Sequence, residues 1–210
     1  MSKPDRIPPL HVVTDDEVVV RGDFDERARA DLEAGGPDVV LHLRAPRASG
    51  RALFDLARRI VPHAIDADAW LVVNDRAEIA LLSADGVHVG ARGLRAEDAR
   101  QVVGGDKLLG VSVHSIDEAR DTLAGAPDFL FAGAVWPTPS HPGLPGAGVG
   151  LIRVIAALGV PVIAIGGVTP SRASRSRDAG AAGVAAIRGI WNVADPAAAV
   201  VEYLSQWKDR

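Results

Sequence analysis

Short β-branched runs alternate along this chain with stretches whose apolar residues recur every three or four positions, the signatures of buried strands and amphipathic helices in turn. Leu10-His11-Val12-Val13-Thr14-Asp15 is the first such run, and the helical spacing over residues 24–33 is stopped by Gly35-Gly36. The alternation goes on to predict strands over residues 38–43, 70–75, 85–90, 107–113 and 128–132, with helices over 50–63, 76–83, 96–103 and 116–124. Two further runs, 161–165 and 183–187, come late, and a closing helix is predicted over 196–207. Strand-helix alternation with short connections means parallel strands. Eight such units within 210 residues predict an α/β fold, a single (β/α)8 TIM barrel spanning residues 1–210 as one domain. An open flavodoxin-like sheet is the alternative.

The seventh run is apolar on both alternating faces, as expected where helices cover one side of a strand and a packed interior covers the other. It ends in Gly166-Gly167, followed by Thr169-Pro170, an N-cap with proline at the first helical position. The eighth run repeats the pattern with Gly189 beside Arg188. Backbone N–H groups at such turns favour anions, and adjacent glycine-ended strands late in a barrel predict a phosphate site at Gly166, Gly167, Arg188 and Gly189. Two buried strands with ordinary turn glycines are the competing interpretation, which would not explain the arginine. One connection breaks the rule of short loops. Residues 133–148 interleave Pro137, Pro139, Pro142 and Pro145 with Gly143 and Gly146 and carry Trp136, Thr138, Ser140 and His141. Long loops in compact domains are usually functional.

Charge and composition narrow the partners. With 23 basic against 27 acidic residues and a net charge of −4, no polybasic run supports nucleic-acid or acidic-membrane binding, so small metabolites are expected. The absence of cysteine excludes disulfides, thiolate metal sites and cysteine nucleophiles. No apolar run reaches the roughly eighteen residues a membrane span needs, and MSKPDRIPPL lacks the apolar core of a signal peptide, so a cytoplasmic location is expected.

Polar residues gather where the strands end. Side chains two apart share a strand face, which pairs His42 with Arg44 after the second strand and Ser112 with His114 after the fifth, while Asn74 and Asp75 close the third. Barrel active sites lie at that face. His88, mid-strand between glycines, is expected in the interior. No HxH or HxxxH pair marks a zinc site.

VLHLR, LVVNDRAEIAL, ADGVHVG, LGVSVHSIDEA, FAGAVWPTPS, PVIAIGGVTP and GVAAIRGIW, in this order, resemble the thiamine phosphate synthase and TenI superfamily of small TIM barrels. Synthases of that superfamily join a pyrimidine diphosphate to a thiazole phosphate with magnesium. TenI-type proteins share the barrel, and some tautomerise a thiazole carboxylate phosphate. The resemblance implies that Gly166, Gly167, Arg188 and Gly189 hold the thiazole phosphate, that Thr138 and Ser140 contact the thiazole, that Arg44 and Asn74 serve the pyrimidine end, and that Asp75 is one magnesium-binding carboxylate.

Departures from the synthase pattern set the expected branch. Where synthases carry Gln-x-Arg-x-Lys the chain reads His42-Leu43-Arg44-Ala45-Pro46, Ala91-Arg92-Gly93 lacks the second magnesium aspartate, and His141 replaces the loop lysine. Losing a metal carboxylate and two cations leaves a diphosphate leaving group poorly neutralised. His42 before Leu43-Arg44 and the SVHSIDEA segment resemble the TenI branch, although Ala134 stands where TenI tautomerases carry their histidine. The expected function is therefore a TenI-like thiazole phosphate-binding protein and thiazole tautomerase, an isomerase needing no cofactor, with His42 or His141 as acid-base groups. Thiamine phosphate synthase with Mg²⁺, a transferase, is the alternative, and a non-catalytic phosphometabolite-binding regulator the third. The sequence leaves a homodimer open.

Overall fold

The computed structural model describes residues 3–4, 6–139 and 143–208. Eight parallel strands close on themselves in chain order: β1 (Leu10–Val13), β2 (Val39–Leu43), β3 (Trp70–Asn74), β4 (Gly86–Val89), β5 (Leu108–Val113), β6 (Phe129–Ala132), β7 (Val162–Ile165) and β8 (Gly183–Ala186). Closure removes every edge and excludes the open-sheet alternative: β1 pairs with β2 on one side and with β8 on the other, Leu10 opposite Val39 and Val184.

Helices α1 (Phe24–Gly35), α2 (Gly50–Asp66), α3 (Ala77–Ser83), α4 (Ala96–Val103), α5 (Ile116–Thr122), α6 (Val149–Ala156), α7 (Pro170–Asp178), the single turn α8 (Arg188–Trp191) and α9 (Pro196–Lys208) surround the barrel. The one-turn α8 is additional to the predicted alternation. It inserts buried Trp191 beneath the barrel mouth, where the indole Nε1–H donates to Val13 O at 2.9 Å and the ring packs 5.6 Å from Phe24. Among the described residues no helix is long and apolar enough to cross a membrane.

Both faces of each strand are buried, but to different partners. Residues such as Leu10, Val39, Leu41 and Leu71 face the helices, while Val40, Trp70, Leu108, Phe129, Phe131 and Ile163 point inward and form a second cluster. Three histidines share that interior: His11, His42 and His88, all at most 1 % exposed. Their rings stack with the phenylalanines, His88 lying 4.2 Å and His42 5.0 Å from Phe131 and His11 5.1 Å from Phe129. Gly110 makes room for them, because a Cβ there would lie 2.3 Å from the Phe129 ring and 2.5 Å from His88 Nδ1.

Candidate active site

The C-terminal ends of the strands open into a cleft of about 630 Å³. Of the residues expected from sequence, Arg44, Ser112, His114, Thr138, Gly166, Gly167, Arg188 and Gly189 all line it. Arg92 and Arg172 line it too, and the sequence reading missed both as site residues. Four arginines therefore surround a cavity whose described lining contains no aspartate or glutamate. Arg44 and Arg92 come from the connections after β2 and β4, Arg172 and Arg188 from those after β7 and β8, so the cations form two groups on different arcs of the ring. A signal for Arg172 existed in its place on the first turn of α7, five residues after Gly167.

The glycine pair is held in a shape only glycine adopts readily. Gly166 and Gly167 have φ of 93° and 65°, and a Cβ on Gly166 would meet Ala134 at 2.5 Å, one on Gly167 the Pro137 carbonyl at 2.6 Å. The loop after β6 thus lies directly on the turn after β7. Its first residues continue as a backbone pairing, Val135 N–H to Ile165 O at 2.9 Å and Trp136 N–H to Gly166 O at 3.0 Å, which excludes a detached surface insert for this part of the loop. Arg172 stacks on Trp136, 5.2 Å from the ring centroid, and donates through Nη1 to Gly167 O at 2.6 Å. Behind the turn, Tyr203 Oη donates to Val168 O at 2.8 Å, and burial pushes its phenol up to about 12, so it stays a donor. Thr169 begins α7 with Pro170 behind it as expected, but its hydroxyl caps no backbone N–H and pairs with Ser171 Oγ at 3.0 Å.

Ser140, His141 and His42 are not among the lining residues, the first two because they fall outside the described residues. His42 does share its strand face with Arg44, but one layer down, inside the barrel and 0 % exposed, so it reaches no part of the cleft. Burial, then the neighbouring His11 and His88, hold its pKa well below the usual imidazole range. A sealed, neutral ring is poorly placed for proton transfer to a ligand. His88 is interior as expected and bonds to Ser112 Oγ at 2.8 Å. His114 is exposed at the cleft, with Nδ1 3.1 Å from Glu118 Oε2.

Asn74 ends β3, between β2 and β4 in the ring and hence between the strands that deliver Arg44 and Arg92. Asp75 follows with φ of 59°, and its Oδ1 accepts the Gly90 N–H at 2.9 Å. As a magnesium site this does not suffice. Among the described residues no three His, Cys, Asp or Glu groups cluster, and a Cβ on Gly93, where the second family aspartate would stand, would lie 2.7 Å from Asp75 Oδ1. One carboxylate already holding a backbone amide is not a protein-built cation site.

Residues 10–190 match the sequence family described as Thiamine monophosphate synthase (TMP-TENI). The thiamine-phosphate synthase of Salinispora arenicola is 40 % identical over 202 residues, covering 93 % of this chain and 95 % of that protein. That of Mycobacterium tuberculosis is 37 % identical over 204 residues, covering 88 % of each. In three dimensions the chain resembles a thiamine phosphate pyrophosphorylase from Pyrococcus furiosus, with a TM-score of 0.83 and 26 % identity over 97 % of this chain and 96 % of that one. These similarities overturn the expectation of a TenI-like thiazole tautomerase: relatives at this identity over most of their length carry the transferase name, and the isomerase reading loses its support.

Proposed function

The chain belongs to the thiamine monophosphate synthase family, and on that premise we propose that it acts as a thiamine-phosphate synthase, a transferase joining a pyrimidine diphosphate to a thiazole phosphate, with residues 1–210 working as one domain. The observation that carries this reading is the division of the cleft cations into two groups. A tautomerase handling one phosphate has use for one; a reaction that brings together a diphosphate and a monophosphate has use for both. On this reading Arg188 and Arg172, with the Gly166-Gly167 turn and Gly189, hold the thiazole phosphate, and Thr138 faces the thiazole.

Arg44 and Arg92 then take the diphosphate, and Arg92 supplies charge on the arc where the family lysine is missing. The diphosphate departs as the pyrimidine is joined to the thiazole, and guanidinium groups fixed before the reaction favour the charge that develops on it. Among the described residues the side chains do not make a magnesium site, so the neutralising charge on this arc comes from the guanidinium groups.

Incubating the purified protein with hydroxymethylpyrimidine diphosphate and thiazole phosphate tests the proposal. Thiamine phosphate and pyrophosphate are expected in equal amounts. Arg188→Ala should raise KM for the thiazole phosphate, and Arg44→Ala that for the diphosphate, each by about tenfold or more, since a charge-assisted contact is lost. No product with both substrates in excess would overturn the proposal.

A further inference from the structure

Three consecutive carbonyls in the turn after β7 are each held by a different element. Gly166 O accepts the Trp136 N–H of the loop after β6 at 3.0 Å, Gly167 O accepts Arg172 Nη1 of α7 at 2.6 Å, and Val168 O accepts Tyr203 Oη of α9 at 2.8 Å. A trans peptide is planar, with its C=O and its N–H on opposite sides. Pinning the carbonyl of one residue therefore aims the N–H of the next residue away from the element that holds it. The N–H groups so aimed are those of Gly167, Val168 and Thr169. Among the described residues these three donate to no acceptor of the protein, and all three residues line the cleft. Successive backbone N–H groups presented to a cavity favour an anion.

Of the three donors, Tyr203 stands apart. It is 1 % exposed, does not line the cleft, and reaches Val168 across 35 positions of sequence from a helix that packs against both α7 and α8. The same hydroxyl also fills the space beside Gly189: a Cβ there would fall against Oη, with Cζ next at 3.3 Å. One oxygen thus abuts the turn after β7 and the turn after β8. Burial pushes the phenol up to about 12, so the oxygen keeps its proton and has it to give to Val168 O.

We infer that Tyr203 is a positioning residue for the anion cup: by gripping Val168 O its hydroxyl aims the Thr169 N–H into the cleft, and by abutting Gly189 it sets the spacing of the two turns. Resting on the synthase reading, the anion held there is the phosphate of the thiazole. Tyr203 itself touches no substrate. It acts through two stretches of backbone, and the hydroxyl rather than the ring carries the effect, which makes the closing helix part of substrate recognition.

Tyr203→Phe keeps the ring and removes one atom. In steady-state assays on the full-length protein it should raise KM for the thiazole phosphate about three- to tenfold, as expected for one buried hydrogen bond, and leave KM for the pyrimidine diphosphate unchanged. A folded variant in which neither KM moves, or in which both rise alike, would overturn the inference. Gly189→Ala supplies a second arm. In the unaltered background its methyl displaces the phenol and should raise the same KM, whereas in the Tyr203→Phe background the nearest ring atom stands at 3.3 Å and the methyl should add nothing further. Fully additive effects would refute a shared hydroxyl. A third measurement needs no turnover: in ¹⁵N-labelled protein, inorganic phosphate should shift the Thr169 amide resonance, and by less in Tyr203→Phe. An amide indifferent to saturating phosphate, or equally shifted in both proteins, counts against the positioning role. Absence of synthase turnover in the unaltered protein sinks the functional reading alone, because the amide shift is read without either substrate.

Discussion

Asp31 is buried in α1 at 1 % exposure, and neither carboxylate oxygen has a hydrogen-bond partner. Burial drives its pKa from 3.8 up to about 7, and Asp195 adds to the rise against the opposing Arg27. Because the folded state holds this proton more tightly than the unfolded one, the group costs nothing below about pH 4, costs progressively more as pH rises, and costs most above pH 7. Asp31→Asn should therefore stabilise the protein, by at most about 4 kcal/mol at pH 8 and by clearly less at pH 5. Denaturant titrations at the two pH values check this. An equal gain at both would mean that the carboxyl is not protonated on folding.

Among elements, the connection from β6 to α6 determines the shape of the site. Its first residues are paired to β7, and Trp136 carries the stacked Arg172. Trp136→Ala should leave the barrel folded but release that guanidinium, raising KM for the thiazole phosphate about tenfold, whereas a loop that merely covers the surface would tolerate the change. The strands and most helices were readable to within a residue or two, because period and glycine punctuation carry that information locally. Helix α2 runs three residues past its predicted end, to Asp66, where the Ala67 N–H closes it on His63 O and Ile65 O. The glycine cup and Arg188 were readable for the same local reason. Depth was not. In a barrel strand both faces are apolar, so period two says which residues share the inward face with His42 but not how far below the mouth it lies. Arg92 and Arg172 stand on a loop and a helix turn, and their convergence depends on ring closure, which no local pattern encodes.

At the scale of the whole molecule, burying three imidazoles makes the protein sensitive to acid. His11 and His88 are held at about 3, chiefly by burial, and His42 well below its usual range. Their contribution is fully present above about pH 6.5 and is lost as pH falls toward 3, because the unfolded chain takes up protons that the folded interior refuses. Asp31 works in the opposite direction over part of that range, but three rings outweigh one carboxyl. The urea midpoint should consequently fall between pH 7 and pH 5; a midpoint that held or rose would show the rings accessible to protons. Barrel closure has a consequence of another kind, in time. The indole of Trp191 reaches Val13 across 178 positions of sequence, and β1 gains its second neighbour only when β8 arrives. On a ribosome, which releases the amino end first, β1 waits with one side open while nearly all the rest is made. A nascent chain of seven strands is a sticky ribbon with two bare margins, and whatever shields it in the cell must stay until residue 191 has emerged.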